Sequence, residues 1–512
     1  MSLMSMTHYD RFNARFGAVN DVLNAVNVLN WDARTMMPAQ ASATRSEQVG
    51  TLTELARDII VSTQSRELTA AAAEETAHLP ETAAERRAVL QAQQAIDFHT
   101  RVPGELVKAR AAQHSVANDA WIAARKANDF AVFAPHLAEM LRLSKLYADA
   151  IGWEEHPYDA LVGLYEPGET AASLSTLFGA LRAGLKPIYD AAIARPAPRS
   201  DFLFRAVPPE LQRKFAARMS EAFTFDNQRG RLDISVHPFE VSFTRNDVRL
   251  TTRYRETYMP MALFGTLHET GHGLYEQNID PRYTRSVLAT DLIGLYAVGG
   301  TSFGAHESQS RLWENHVGRS RGFWQRHMAD LQADIPEHYD DVTAEEFYRG
   351  VTRVSAGLTR VESDEMSYDF HIMLRVELEQ AMLDGSLAVA DVPGAWNAAI
   401  KRDLGLDVPD DLQGCLQDIH WSVGYLGSFP TYTIGNITAA QLMDTARTTA
   451  PEVIGATEAG NYAPLAGWLR DNIWRHGRCF SRDELLTQVT GRPLEIAPYL
   501  AYLTARYNQE EN

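Results

Sequence analysis

The sequence predicts a mainly α protein: a single large helical body with a small β-sheet. Three observations predict it. Apolar residues recur at i, i+3 and i+4 over most of the chain; Ala and Leu, both strong helix formers, are abundant; and only residues 241–254 alternate at period two. The first helical stripe, over 9–29, is carried by Phe12, Phe16, Val19, Val22, Leu23, Val26 and Leu29. Similar stripes follow over 48–63, 83–96, 103–127, 133–151, 171–191 and 208–223, then over 343–354, 362–383 and 496–507. Breakers such as Glu166-Pro167-Gly168 and Arg195-Pro196-Ala197-Pro198 punctuate them. In 241–254, Asn246, Val248, Leu250, Thr252 and Tyr254 alternate with Arg245, Asp247, Arg249, Thr251 and Arg253, which predicts one strand. With no repeat and no Gly/Ser linker in view, the reading is one domain over 1–512. It has an N-terminal helical part to about 230, a central part over about 231–440 and C-terminal helices over about 441–512.

With 512 residues, 45% of them apolar, the chain can bury a large core, which excludes a disordered or collagen-like protein. Lys and Arg number 48 against 66 Asp and Glu, a net charge of −18 that disfavours nucleic acid and anionic membrane as partners. Cys415 and Cys479 are too few for a disulfide scaffold or a Cys-rich metal site. The longest stretch without Asp, Glu, Lys or Arg, 419–443, holds His420, Pro430, Asn436 and Gln441, a poor bilayer span. The first residues lack a basic region followed by a continuous apolar run, so the expected location is the cytoplasm.

The chemistry is concentrated just after the period-two segment, in Leu267-His268-Glu269-Thr270-Gly271-His272. On a helix, residues four apart stack on one face, so His268 and His272 can reach a single ion. Glu269 is placed to act as a general base on water, the H-E-x-x-H arrangement of zinc hydrolases. Gly265, Gly271 and Gly273 lower helix propensity and predict close approach of another backbone or a ligand. A third ligand is required. Glu276 shares the stripe but lies eight residues from His268, about 12 Å along the axis, so a partner role suits it better. Glu307, Asp280 and Asp291 all remain open by spacing alone.

Several motifs now resemble the carboxypeptidase Taq (thermostable carboxypeptidase 1) metallopeptidases. Asp247-Val-Arg249-Leu-Thr251 fits D-x-R-x-T, and His306-Glu307-Ser-Gln-Ser-Arg311 reads H-E-S-Q-S-R. Gly414-Cys-Leu-Gln417-Asp418-Ile-His420-Trp421 fits G-x-x-Q-D-x-H-W. Asn30-Trp31-Asp32, His237-Pro238-Phe239 and Phe429-Pro430-Thr431-Tyr432 extend the likeness over nearly the whole chain. Two departures stand out. I-R-x-x-A-D appears as Thr359-Arg360-Val-Glu-Ser363-Asp364, and the connection between His272 and His306 is longer than in the family pattern.

The resemblance implies a helical fold with a long substrate groove and a small sheet beside the metal helix. It implies a homodimer that releases single C-terminal residues from free-ended peptides with broad specificity. It assigns the third ligand to Glu307, with Zn²⁺ as the usual ion and Co²⁺ as a substitute. Glu269 then serves as general base, and His420 and Tyr432 are the candidates for the developing oxyanion. Arg249 and Arg360 are each either an anchor for the substrate carboxylate or a structural ion pair. His306 and Arg311 orient the ligand helix rather than touch substrate. An oligoendopeptidase with the same ion, and a helical binding scaffold with a vestigial site, are the competing readings.

Overall fold

A computed structural model describes residues 6–507. The chain forms two compact units, each assembled from three stretches. The first takes the chain up to Thr100, Pro198–Val351 and Thr438–Leu494; the second takes Arg101–Ala197, Thr352–Ile437 and the chain from Glu495.

The first unit opens with helix His8–Thr35, started by a capping box between Thr7 and Asp10. Its stripe of Phe12, Phe16, Val19, Leu23 and Val26 is buried, as helical spacing requires of an amphipathic face. The sheet is small and mixed, in the order β1-β3-β2: β1 (Gly230–Ile234) runs parallel to β3 (Asp247–Thr252), and β2 (Glu240–Thr244) runs antiparallel to it. The single strand expected over 241–254 is thus a hairpin. Arg245 and Asn246 form its turn, where the Asn246 amide donates to Thr244 Oγ1 at 3.1 Å. Arg245 leaves the strand face and donates through Nε to the Ile279 carbonyl at 2.9 Å.

After β3 comes the histidine helix, Met259–Gln277, with Pro260 in its first turn, where a missing N–H costs nothing. The glutamate helix, Phe303–Arg311, is capped by Ser302, whose Oγ accepts from the Ala305 amide at 3.0 Å. It runs directly into a π-helical segment, Leu312–Gly318. Gly271 is where the two helices pass: a Cβ there would lie 2.5 Å from the Gln309 carbonyl oxygen and 2.6 Å from Ser310 Cα. Gly265 has no such constraint, its nearest neighbours standing at 3.7 Å. The long connection between the helices is fastened to the first helix. Arg285 pairs with both oxygens of Asp21, Asn20 Nδ2 donates to Thr290 Oγ1 at 2.8 Å, and Asn27 Nδ2 donates to the carbonyls of Ser242 and Ala297 at 3.0 Å each.

The second unit is helical, and in helix Glu365–Asp384 residues 366–376 are all buried. Asp364 is its N-cap, accepting from the amides of Met366 at 2.9 Å and Ser367 at 3.0 Å, which gives that acid a structural reason. Among the described residues no helix is long and apolar enough to cross a membrane.

Candidate metal centre

The histidine helix puts His268 and His272 on one face, with ring centroids 5.1 Å apart. Their Nε2 atoms point to the same carboxylate oxygen, Glu307 Oε2, at 3.5 Å and 3.3 Å. One ligand atom from each of these residues can be chosen so that all lie within 4.8 Å of one another, the only such cluster of His, Cys, Asp or Glu among the described residues. The other oxygen, Glu307 Oε1, accepts from Arg311 Nε at 2.7 Å, so the guanidinium aims the free oxygen at the imidazoles. Two imidazole nitrogens and one carboxylate oxygen, converging and half to fully buried, fit a divalent cation.

Each histidine is held from behind. His268 Nδ1 meets Glu314 Oε2 at 3.0 Å, and Glu314 in turn accepts from Arg319 Nη2 at 2.8 Å. His272 Nδ1 meets His306 Nδ1 at 2.5 Å, and His306 Nε2 meets Glu276 Oε1 at 3.0 Å. The electrostatics follow from burial and charge. For Glu307, burial alone would raise the carboxyl, but His268 and Arg311 outweigh it and hold it well below the usual range. Burial pushes His272 down to about 3, and the neighbouring His306 adds to that shift, so the ring is neutral and able to coordinate. His268 moves the other way: burial would lower it, but Glu307 and Glu314 raise it well above its ordinary value. Burial pushes Glu269 up to about 7, with Glu307 and Glu314 acting in the same direction against His268. A carboxyl near neutrality can both take and return a proton.

The family model for carboxypeptidase Taq (M32) metallopeptidases matches residues 11–507. The chain belongs to that family. As a carboxypeptidase Taq protein it is a peptide hydrolase of the metallocarboxypeptidase class. Carboxypeptidase 1 of Bacillus subtilis is 34% identical over 485 residues, covering 94% of this chain and 95% of that protein. Thermostable carboxypeptidase 1 of Thermus thermophilus is 36% identical over 489 residues, covering 93% and 94%. The crystal structure of an M32 carboxypeptidase from Deinococcus radiodurans R1 aligns with a TM-score of 0.93 at 38% identity, over 98% of this chain and 99% of that one.

In this carboxypeptidase Taq chain the rivals to Glu307 are engaged elsewhere. Asp280 pairs with Arg282 at 3.0 Å, and Asp291 accepts from the amides of Ile293 and Gly294 at 3.1 and 2.9 Å. The D-x-R-x-T motif organises the sheet. Arg249 forms a double contact with Asp247, at 3.0 and 3.2 Å, and lies over the rings of Trp31 and Phe243. Thr251 Oγ1 accepts from the Phe239 amide at 2.9 Å and from Ser235 Oγ at 2.7 Å, pinning the His237-Pro238-Phe239 loop.

The remaining predicted residues lie in the second unit. Arg360 is buried and donates to Asp418 through Nε and Nη2, at 3.0 and 2.6 Å, and to Tyr368 Oη at 3.0 Å. Asp418 also receives Arg375 Nε at 2.6 Å, so two buried guanidiniums share one carboxylate. Burial alone would raise the Asp418 carboxyl, but the two arginines outweigh it and hold it far below its usual range. His420 Nε2 meets Tyr432 Oη at 3.2 Å; burial, with Arg360 and Arg375, pushes this imidazole down to about 3, so it is neutral. Sequence reasoning missed Glu314 behind His268 and did not pair Asp418 with Arg360, although Asp418 stands inside a motif already singled out.

Proposed function

We propose that this protein is a zinc-dependent carboxypeptidase that removes single residues from the free C-termini of peptides with broad specificity. The observation that carries the reading is the convergence of His268 Nε2, His272 Nε2 and Glu307 Oε2, with Glu269 on the next helical position. Those residues would hold the ion, which supplies Lewis acidity for the scissile carbonyl and for water. Glu269 takes the proton of the attacking water and returns it to the departing amine, a task suited to a carboxyl buried beside the histidines. Arg311 keeps Glu307 ionised and oriented.

Other assignments rest on the motifs rather than on any distance to the metal ligands. His420 and Tyr432 are proposed to donate to the developing oxyanion, and Arg360 to receive the substrate carboxylate. In support of the latter, Arg360 and Arg375 face the single carboxylate of Asp418, which leaves an excess of buried positive charge. Arg249, already paired with Asp247 and stacked between aromatic rings, is proposed as a structural ion pair. A cytoplasmic homodimer completes the proposal. The test is digestion of a free-ended peptide and its C-terminally amidated twin, with and without chelator, read by mass spectrometry. Stepwise loss of C-terminal residues from the free-ended peptide alone, abolished by chelator, is the expected result. Internal fragments from both peptides would instead indicate an oligoendopeptidase.

A further inference from the structure

We propose that His306 and Glu276 form a proton-ordering relay that fixes His272 as an Nε2 ligand. The inference rests on the ligand reading above and deepens it. An imidazole that gives its Nε2 lone pair to a cation carries its proton on Nδ1. The Nδ1 of His272 faces His306 Nδ1 at 2.5 Å, so that atom must be the acceptor. His306 then carries its own proton on Nε2, which points at Glu276 Oε1, 3.0 Å away. Only one proton order satisfies every contact from the carboxylate to the metal ligand.

The surroundings build this order in. Glu276 is buried and accepts from the amides of Gly299 at 3.0 Å and Gly300 at 3.1 Å, and from Ser242 Oγ at 3.1 Å. A carboxylate offers only acceptor oxygens, so in this contact the His306 ring donates. The two imidazole planes lie 25° apart with centroids 4.6 Å apart, so they meet edge to edge through Nδ1. Tyr275 lies parallel to His306, 14° off plane, and a Cβ at Gly300 would come within 2.3 Å of His306 Cδ2, so the ring is closely packed. The two ligands therefore differ: His268 is backed directly by the Glu314 carboxylate, His272 by the ring of His306. Glu276 and His306 are positioning residues, acting through His272.

The test uses chelator-stripped full-length protein and Co²⁺ alone. The dissociation constant is measured by chelator competition, together with the visible ligand-field band of the bound ion and the unfolding temperature of the metal-free protein. His306→Leu removes the acceptor and should weaken Co²⁺ by about 10–100-fold and shift the band. His306→Gln can accept through Oε1 and donate through Nε2, so it should restore affinity to within about threefold of wild type and restore the band. Equal affinities for the two variants would overturn the relay. Neutron diffraction of the metal-loaded wild type decides independently of how either variant folds: deuterons on His272 Nδ1 and His306 Nε2 support it, and a deuteron on His306 Nδ1 overturns it. Wild-type protein that takes up no Co²⁺ refutes the ligand reading itself, whereas wild-type uptake unaltered in His306→Leu refutes the relay alone.

Discussion

Gly271 offers a direct way to separate helix propensity from site geometry. In Gly271→Ala, the new methyl would lie 2.5 Å from Gln309 O, 2.6 Å from Ser310 Cα and 2.7 Å from Gln309 C, all backbone atoms that no rotamer change can move. Contacts of about 3.5–4.0 Å are comfortable, so the histidine and glutamate helices must part by roughly 1 Å. The propensity gain of about 1 kcal/mol is then set against an overpacking cost of about 1–3 kcal/mol. The larger effect is on the ion, because metal ligands tolerate only about 0.2 Å of error and Glu307 rides on the helix that is displaced. Gly265→Ala is the control. Its nearest atoms stand at 3.7 Å, so only the propensity gain of about 1 kcal/mol applies. The assay is urea unfolding of metal-free protein followed by circular dichroism, with Co²⁺ affinity by chelator competition. Gly271→Ala should lose stability and bind at least about tenfold more weakly, while Gly265→Ala gains stability and binds normally. A Gly271→Ala protein equal to wild type in both measurements would refute the reasoning.

Other substitutions test the remaining parts. Glu269→Gln should retain metal while kcat falls by about 10²–10⁴, measured by peptide turnover beside metal analysis of the same sample; near-normal turnover would remove Glu269 from the reaction. Asp418→Asn leaves Arg360 and Arg375 buried without a carboxylate and should cost about 3–5 kcal/mol in urea unfolding. Glu379 accepts from Tyr158 Oη, Trp421 Nε1 and the Gly427 amide, yet burial pushes its carboxyl from 4.5 up to about 7. Because the folded value lies above the unfolded one, this group's contribution is full below pH 4.5 and is lost as pH rises through about 7. The loss is about 3 kcal/mol, and Glu379→Gln should flatten stability across that window.

The helical class and the metal motif were legible because both depend on local periodicity. Phe12 to Val26 form a buried stripe, and His268 and His272 share a face, for the same geometric reason. Gly271 was legible as a close approach, but Gly265 was not distinguishable from it, since the sequence does not say which glycine faces a backbone. The hairpin was read as one strand because Arg245 and Asn246 preserve the period-two alternation through the turn. Glu314 was missed because it stands in the π-helical segment past Arg311, beyond the motif that marked the glutamate helix. Glu276 was legible as a partner residue, though not whose partner, and Asp418 only as a member of its motif. Their functions depend on Gly299, Gly300 and His306 in one case, and on Arg360 and Arg375 in the other, all distant in sequence.

The central claim, that His268, His272 and Glu307 together hold the ion that drives C-terminal release, is tested most directly by metal titration. Stripped wild-type protein and Glu307→Ala are titrated with Zn²⁺ while released amino acids are counted. The account predicts that release in the wild type rises linearly and levels off at a single ion per chain, and that Glu307→Ala neither retains Zn²⁺ nor recovers release. Full recovery in Glu307→Ala, or release from stripped protein with no ion added, would contradict it.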